Sequence, residues 1–404
     1  MITTINNKHK NLNVPNLRFP EFKGEWEEER LADIADLYKG TGISKDQLSD
    51  DGEPCILYGE LYTKYKSETI REVISKTNIE NTKLVRSKAN DVIIPCSGET
   101  AEDIATARCV LNDNILLGGD LNIIRLRGYD GIFMSYQLNG KRKYDIAKVA
   151  QGVSVVHLYG EHLKGVKTIN PCLEEQKKIA SLLALLDERI ATQNKIIEDL
   201  KKLKSAISKQ VFAKNPNGWN RLDSLFSKGK AGGTPTSTKK EYYNGDIPFL
   251  SINDITRQGK FIRNTENHLS QSGLENSSAW VVPRYSMIIS MYASVGLVTI
   301  NDVPLTTSQA MFAMQLKEKD LLDYLYYYLL YFKYRHIHKY LETGTQSNIN
   351  ADIVRGIMIP TYGYSHNVKI ASTLQSVDTK IDNEFSVLEQ FNRQKSYFLS
   401  QMFI

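Results

Sequence analysis

A glycine- and hydroxyl-rich stretch in the second half of the chain is the first candidate for contact with a charged ligand. Gly232-Gly233-Thr234-Pro235-Thr236-Ser237-Thr238-Lys239-Lys240 combines a flexible turn with several hydroxyl groups and two positive charges. Such groups suit contacts to nucleic-acid phosphates, which position a protein on DNA without reading its sequence. An ordinary surface loop is the alternative. Lys230, Gly233, Thr234, Thr236, Ser237 and Lys239 are therefore candidates for contact with an anionic ligand.

Further candidates follow an apolar strand and lie near the end of the second half. Tyr292 and Ser294 belong to Ser290-Met291-Tyr292-Ala293-Ser294, which follows an apolar strand, and they serve either ligand contact or a simple turn. Gln346 and Asn348 carry amides, which pair with adenine in the major groove but also cap turns. The positions that match these candidates in the first half are Lys39, Thr41, Lys45, Ser97 and Thr100.

The sequence offers no catalytic or metal-binding motif. A methyltransferase acting on an exocyclic amine needs an Asn/Asp-Pro-Pro-aromatic tetrapeptide, and Asn170-Pro171-Cys172-Leu173 lacks the second proline and the aromatic residue. No GxxxxGK[ST] phosphate-binding loop is present. Four scattered cysteines and seven histidines form neither a CxxC pair nor HExxH. We therefore expect no catalytic residue, no metal and no cofactor in this chain.

Two helical stretches, 177–212 and 368–403, are copies of one another. At a shift of 191 residues they agree at 12 of 36 positions without a gap, and apolar residues recur in both at the 3.5-residue spacing of a coiled coil. Polar residues interrupt this seam at matching places, Gln193 with Glu384 and Lys204 with Lys395. We predict that the helices pair through Leu183, Leu186, Ile190, Ile197 and Leu200 on the first and Leu374, Val377, Ile381, Leu388 and Phe391 on the second.

The rest of the chain alternates with these helices. The pattern predicts an α+β fold in which two mixed α/β domains alternate with two long helices and form an internal repeat. The predicted division is a disordered start at 1–14, a first domain at 15–170, a central helix at 171–213, a second domain at 214–366 and a C-terminal helix at 367–404. Within the first domain we predict short strands at 92–94 and 121–126 and a helical run from about 132 to 149.

Overall charge says little about partners. The formal net charge of +5 is too small to indicate nucleic acid by itself. Neither a signal peptide nor an apolar run of membrane-spanning length is present, so we expect a cytoplasmic protein.

Four stretches resemble the DNA-specificity subunits of type I restriction–modification enzymes. They are Leu17-Arg18-Phe19-Pro20-Glu21-Phe22 ahead of Trp26, Pro171-Cys172-Leu173-Glu174-Glu175-Gln176, Gly232-Gly233-Thr234-Pro235, and Thr345-Gln346-Ser347-Asn348-Ile349. The chain departs from the pattern in two places. The second helix lacks the Pro-x-x-Glu-Glu-Gln entry, and Gly40-Thr41-Gly42-Ile43 replaces the Gly-Gly-Thr-Pro loop in the first domain.

This resemblance implies a mechanism. Each target-recognition domain would read one half of a bipartite DNA site, and the candidate residues named above would contact the DNA. An antiparallel helix pair would set the spacer and dock two methyltransferase (modification) subunits. Motor–nuclease (restriction) subunits would join those, and S-adenosylmethionine, ATP and Mg²⁺ would be bound by the partners. Two alternatives stay open: an orphan specificity subunit that serves a methyltransferase only, and a coiled-coil adaptor that does not bind DNA.

Overall fold

A computed structural model describes residues 3–4, 13–80, 83–152, 155–340 and 348–404. The chain divides into two compact units, which we treat separately. The first unit comprises Met1–Lys195 and Ser386–Ile404, and the second comprises Ile196–Phe385. Most of the start predicted to be disordered, residues 1–2 and 5–12, lies outside the described residues.

The first part of the chain contains short strands and helices and then one long helix. The elements, in chain order, are β1 Thr3–Thr4, β2 Leu17–Arg18, β3 Glu27–Arg30, α1 Leu31–Ile34, β4 Ala35–Lys39, β5 Leu48–Ser49, β6 Glu53–Ile56, α2 Glu60–Thr63, β7 Thr69–Ile70, β8 Ser75–Thr77, β9 Val85–Arg86, β10 Asp91–Pro95, β11 Ser97–Gly98, α3 Ala101–Ile104, β12 Arg108–Val110, β13 Leu116–Leu117, β14 Leu121–Leu126, α4 Gly131–Asn139, α5 Lys143–Val149, β15 Val156–His157, α6 Gly160–Lys164, β16 Lys167–Asn170 and α7 Leu173–Phe212.

The second part repeats this plan and ends in another long helix. Its elements are β17 Gly218–Arg221, α8 Leu222–Leu225, β18 Phe226–Ala231, β19 Tyr243–Leu250, α9 Ile252–Gln258, β20 Phe261–Ile262, β21 Asn267–Leu269, α10 Gln271–Glu275, β22 Met287–Ser290, β23 Val298–Asn301, β24 Thr306–Thr307, β25 Met311–Leu316, α11 Leu322–Arg335, α12 Ala351–Gly356, β26 Met358–Thr361 and α13 Tyr364–Gln401. Short 3-10 helices lie at Lys45–Gln47, Lys240–Tyr242, Lys319–Leu321 and Ile337–Tyr340.

Each unit is built on a central sheet of the same topology. In the first unit the strand order is β4-β14-β10-β12-β7, and in the second it is β18-β25-β22-β23-β20. Each sheet is antiparallel except for its last pair, β12 with β7 and β23 with β20, which is parallel. A second sheet, β5-β8-β6-β13-β9 or β21-β19-β24, packs beside it. The matching orders extend the internal repeat from the helices to the domains.

The repeat shift of 191 residues returns at the ends of each domain. It separates the first residues of β3 and β17, of α4 and α11, of α6 and α12, of β16 and β26, and of α7 and α13. Strands inside the domains depart from it, because β14 and β25 begin 190 residues apart and β10 and β22 begin 196 apart. Insertions and deletions inside the two domains therefore cancel before each long helix begins.

In the first unit the beginning of α7 and the end of the chain pack on α4. Phe133 stacks on Phe403 with ring centroids 5.1 Å apart, and Trp26 meets Phe133 edge-on at 5.9 Å. Leu183 and Leu186 are buried in the same core, while Ile190, Leu388 and Phe391 are half-buried. Burial of rings and branched chains is the main source of stability for such a core.

In the second unit the last part of α7 and the first part of α13 pack on α11. Phe212 lies 5.3 Å from the ring of Tyr328 and 6.0 Å from that of Tyr324. Ile197, Leu374 and Ile381 are buried, and Leu200 and Val377 are half-buried.

Glycine breaks one stretch that the sequence pattern predicts to be a single helix at 132–149. The structure has α4 and α5 there, because the chain leaves the helix at Gly140, whose φ and ψ of −94° and −103° are not helical. No helix among the described residues has the length and apolar character needed to cross a membrane.

Candidate functional site

The candidate site in the second unit lies at one end of the central sheet. β18 ends at Ala231 opposite Phe312, and β22 ends at Ser290 opposite Met311. Because both strands are antiparallel to β25, the loops that follow them emerge together beside the residues that lead into β25. The hydroxyl-rich loop after β18 and the Tyr292 loop after β22 are therefore neighbours.

Backbone hydrogen bonds hold the first of these loops against the sheet. The Gly232 N–H donates to the carbonyl of Met311 over 3.0 Å, and the Gly233 N–H donates to that of Thr307 over 2.9 Å. A Cβ at Gly232 would collide with Thr307, and one at Gly233 with the backbone of Ala279. Both positions require glycine for close approach of the backbone.

Several of the predicted DNA-contacting side chains of this loop are exposed. Thr234, Thr236 and Ser237 face solvent. The Lys239 ammonium donates to the Tyr242 hydroxyl over 3.1 Å, and that of Lys230, which lies within β18, reaches the Ser278 carbonyl over 3.4 Å. The two lysines are therefore placed by neutral partners and keep their charge available to an anion.

The Tyr292 loop is a constrained turn. Ala293 has φ of +59°, a conformation that is uncommon for residues other than glycine. The Ser290 hydroxyl donates to the Ser294 carbonyl over 2.5 Å and closes the turn. Tyr292 remains 39% exposed at its tip. Backbone strain of this kind clusters at functional sites, so the turn is a candidate contact surface.

The structure brings Asn348 to this turn. The N–H of Ile349 donates to the carbonyl of Met291 over 3.0 Å, so Asn348 lies directly beside the Tyr292 loop and is half-buried. Gln346, the other predicted amide, lies outside the described residues.

The first unit places its candidates at the matching end of its sheet. β4 ends at Lys39 opposite Asn122, and β10 ends at Pro95 opposite Leu121. Lys39 lies 3.8 Å from Asp120, whose other carboxylate oxygen accepts from the Ser97 hydroxyl over 3.4 Å.

Two of the remaining candidates of the first unit have structural partners, and the third is exposed. Thr41 bridges the loop at 83–85, since its hydroxyl donates to the Lys83 carbonyl over 3.3 Å and accepts from the Val85 N–H over 3.1 Å. Thr100 caps α3 by accepting from the Asp103 N–H over 3.1 Å. Lys45 is exposed beside a cleft of ≈720 Å³ that Tyr58, Tyr62 and Asp120 also line. The structure thus gathers Lys39, Thr41 and Ser97 at the sheet end and gives Thr100 a capping role.

Sequence reasoning missed a Tyr–Asp–Lys triad that occurs once in each unit. In the first unit the Tyr136 hydroxyl donates to Asp187 over 2.6 Å, and Asp187 pairs with the Lys395 ammonium at 2.7 Å. In the second unit the Tyr327 hydroxyl donates to Asp378 over 2.7 Å, and Asp378 pairs with Lys204 at 2.5 Å. The available signal was the common shift, since 191 residues separate Tyr136 from Tyr327 as they separate the two aspartates and the two lysines.

The environments of the two triads differ in charge. In the first unit Lys395 also pairs with Glu68 at 2.8 Å, and the pKa of Glu68 is raised above its ordinary 4.5 by burial and by Asp187, with Lys395 opposing. In the second unit a cation, Lys260, donates to the Tyr327 hydroxyl over 3.3 Å and pairs with Asp323 at 2.7 Å. Burial and the adjacent aspartate raise the pKa of both tyrosines, so they act as neutral donors.

Metal-binding chemistry finds no support in the part of the chain that the structure describes, where no group of three or more His, Cys, Asp or Glu side chains could hold an ion. Cys55, Cys96 and Cys109 are buried, and burial raises the pKa of Cys55 to about 11 and that of Cys96 to about 12. Such thiols stay protonated and unreactive at neutral pH.

Comparisons with known proteins agree with this architecture. A family model described as "Type I restriction modification DNA specificity domain" matches residues 23–202 and again 216–392. The type I restriction enzyme MjaVIII specificity subunit of Methanocaldococcus jannaschii is 24% identical over 413 residues, which cover 95% of this chain and 92% of that protein. The HindI specificity subunit of Haemophilus influenzae is 33% identical over 153 residues, 36% of this chain and 32% of that protein.

A solved structure has the same fold. The S subunit of a type I restriction–modification system from M. genitalium superposes with a TM-score of 0.62 at 16% identity, covering 97% of this chain and 99% of that one. The α+β class predicted from the sequence and the resemblance on which the functional expectation depends are both confirmed.

Proposed function

The chain belongs to the type I restriction–modification DNA specificity family, and we propose that each of its units reads one half of a bipartite DNA site. The observation that carries this proposal is the duplicated sheet end. In each unit, two loops meet at one end of the central sheet and bring polar and cationic side chains together there. These loops follow β4 and β10 in the first unit and β18 and β22 in the second. Loops on a rigid sheet are a common location for recognition residues.

The groups at these ends suit DNA in two ways. Lys39, Lys230 and Lys239, with the hydroxyls of Thr234 and Thr236, would contact phosphates and fix the register of the domain. Tyr292 and Asn348 would reach base edges, and the Asn348 amide has the donor–acceptor pair that adenine presents in the major groove.

The long helices would set the distance between the two half-sites. Within each unit a segment of α7 packs on a segment of α13, and the Lys–Asp pairs fix the register of that contact. Two readers held on helices would recognise half-sites about one DNA turn, ~34 Å, apart, with unread DNA between them. The same helices would dock two methyltransferase subunits, which restriction subunits would then join.

The chemistry would belong to those partners. We assign this chain recognition without catalysis, and S-adenosylmethionine, ATP and Mg²⁺ to the methyltransferase and restriction subunits. Its place of action would be the cytoplasm, with the DNA.

The first experiment is methylation mapping of DNA exposed to the chain and its modification subunits. A split motif with one methylated adenine in each half, on opposite strands, is expected. Absence of methylation, together with failure to bind either DNA or a methyltransferase, would overturn the proposal in favour of a protein adaptor. Methylation with no restriction subunit able to join would identify an orphan specificity subunit.

A second experiment tests the spacing role. Removing one heptad from each long helix, residues 195–201 and 386–392, shortens each by about 10 Å at ~1.5 Å per residue. The spacer should shorten by about 3 base pairs while both half-site sequences stay the same. An unchanged spacer would show that the helices do not set the spacer length, and the assignment of the two recognition domains would be unaffected.

A further inference from the structure

A basic pocket in the second unit has no role in the function proposed above. It has a volume of ≈270 Å³ and lies between the last part of α7 and α11. Lys201, Lys204 and Lys209 line it from α7, and Tyr331, Tyr334 and Arg335 line it from α11.

The helical spacing explains why these side chains meet. Lys201, Ser205 and Lys209 follow one another at steps of four, and therefore occupy one face of α7. Tyr327, Tyr331 and Tyr334 follow at steps of four and three on α11 and face them. An aromatic row at this spacing ordinarily packs on apolar residues, but here it opposes lysines and serines, and Tyr334 is 76% exposed.

The positive charge of the pocket is not neutralised within the described part of the chain. Lys204 pairs with Asp378, but no ion pair joins Lys201, Lys209 or Arg335 to a described carboxylate. Lys201 instead lies 4.8 Å from the centre of the Phe385 ring. No acidic side chain lines the pocket among the described residues. Cations that line one pocket without a carboxylate partner attract an anion.

The scaffold does not require these cations, as the internal repeat demonstrates. In the first unit the residues that match Lys201, Lys209 and Arg335 at the 191-residue shift are Asn392, Ser400 and Tyr144. The wall of the pocket is also specific to the second unit. Its helix α11 runs to Arg335, whereas α4, which starts at the matching residue, ends at Asn139. The duplicated framework therefore folds in the first unit without these cations.

We propose that this pocket binds a nucleoside polyphosphate. Lys201, Lys209 and Arg335, with the Ser205 hydroxyl, supply charged and neutral donors for phosphate oxygens, and a guanidinium can bind them in bidentate fashion. The exposed ring of Tyr334 offers a face on which a base stacks. A concave site bounded by two helices accepts a small flexible polyphosphate more readily than the backbone of a rigid duplex.

Calorimetric titration of the full-length chain tests the proposal, with ATP, inorganic tripolyphosphate and adenosine as separate probes. We expect ATP and tripolyphosphate to bind and adenosine to bind far more weakly. The double variant Lys209→Gln/Arg335→Gln should weaken both phosphate probes by tenfold or more, since each lost charge-assisted contact costs about tenfold. Tyr334→Ala should weaken ATP several-fold and leave tripolyphosphate unchanged.

The matched control removes the same two kinds of charge elsewhere on the long helices. Lys202 and Arg393 lie on exposed faces, where they pair with Glu198 at 2.7 Å and with Glu389 at 2.5 Å. Lys202→Gln/Arg393→Gln should bind ATP as the unmodified chain does. Equal losses in both double variants would reveal a general charge effect and overturn the assignment, and so would no binding of ATP or tripolyphosphate. If Lys209→Gln/Arg335→Gln weakened a short mixed-sequence DNA duplex while ATP did not bind, the pocket would be a DNA backbone contact instead.

Discussion

Tyr136 and Tyr327 stand at equivalent positions, 191 residues apart, and each donates its hydroxyl to an aspartate of a long helix. The two hydrogen bonds measure 2.6 and 2.7 Å. In the first unit the aspartate belongs to α7 and the paired lysine to α13, and in the second unit the helices exchange these parts. Each long helix thus contributes one aspartate and one lysine to these triads, and the two residues serve different units. Polar residues within a coiled-coil seam specify register at a cost in stability.

Removing the tyrosine hydroxyl should loosen a domain on its helices. We expect Tyr136→Phe to lower the local free energy of unfolding in the first unit by about 1.5–3 kcal/mol, because a buried carboxylate loses a donor. Hydrogen exchange of α4 amides measures this locally, which is necessary because a chain of two units does not unfold in two states. Tyr334→Phe, at an exposed ring, is the control and should change exchange little. Equal protection in Tyr136→Phe and the unmodified chain would contradict the role of the hydroxyl.

Loss of Lys395 should be more damaging than loss of Lys204. Lys395 lies between Glu68 and Asp187, whose side chains are only 12% and 9% exposed, whereas Lys204 pairs with Asp378 at 24% exposure. Lys395→Met leaves two buried carboxylates without their cation and should cost about 3–5 kcal/mol in the first unit. Adding Glu68→Gln to this variant should recover part of the loss. A cycle of the single and double variants measures the coupling, and additive effects would contradict it.

The raised pKa of Glu68 predicts a pH effect. A folded-state pKa above 4.5 means that the folded chain holds this proton more tightly than the unfolded chain. The contribution of Glu68 to stability is therefore complete below pH 4.5 and is lost as pH rises through the raised pKa. The stability of Glu68→Gln relative to that of the unmodified chain should rise as pH rises through this window. Hydrogen exchange across a pH series measures the difference.

Glu28 provides the opposite control. Its hydrogen bond with Lys167 lowers the pKa of this exposed carboxyl, so its contribution is present above 4.5 and is lost as pH falls through the lowered value. The stability of Glu28→Gln relative to that of the unmodified chain should therefore fall as pH rises. The same pH trend in both variants would refute the assignment to Glu68.

Substitutions of the candidate base-contacting residues at the sheet end of the second unit should affect one half-site only. Tyr292→Ala or Asn348→Ala should weaken or relax recognition of that half by about tenfold, given ~1–3 kcal/mol for a good base contact. Thr234→Ala should lower methylation uniformly instead, because a phosphate contact carries no sequence information. Methylation mapping with modification subunits separates these outcomes. A relaxed sequence requirement in both half-sites after Tyr292→Ala or Asn348→Ala would contradict the separation of the readers.

Gly233 tests whether the hydroxyl-rich loop must lie close to the sheet. Gly233→Ala drives a Cβ into the backbone of Ala279 and should displace the loop, at a cost of about 1–3 kcal/mol. Gly356→Ala is the matched control, because a Cβ there meets nothing within 4 Å. Thermal unfolding and methylation of the second half-site are the measurements. Normal methylation of the second half-site in the presence of Gly233→Ala would show that the loop is not part of the recognition surface.

The sequence was most informative where one periodic pattern controls structure. The spacing of apolar residues such as Leu183 and Leu374 predicts where the long helices lie, and the structure places both side chains in buried cores. The strands around Val92 and Leu121 were visible as apolar runs, and they are β10 and β14. The break between α4 and α5 was missed because it depends on one residue, Gly140.

The candidate site was predicted less completely. Polar type and position identified Lys39, Tyr292 and Asn348, but only the strand register places such residues at one sheet end. Roles as DNA contacts for all these residues stay predictions. The Tyr136 and Tyr327 triads escaped notice because tyrosine in an apolar helix looks like an ordinary core residue. Their partners lie on helices 51 residues further along the chain, and no local pattern reports such a contact.

The strands that open and close each domain lie side by side. β3 pairs with β16 antiparallel, as β17 does with β26, so the polypeptide leaves each domain next to the point where it enters. Each domain is therefore equivalent to an insertion in a loop whose two ends are held together by a pair of strands. The segment between the paired strands can be lengthened, shortened or exchanged at little entropic cost, because the entropic cost of closing a loop grows only slowly with loop length. A recognition domain from another protein can therefore be grafted between such paired strands with only two junctions, which lie next to each other.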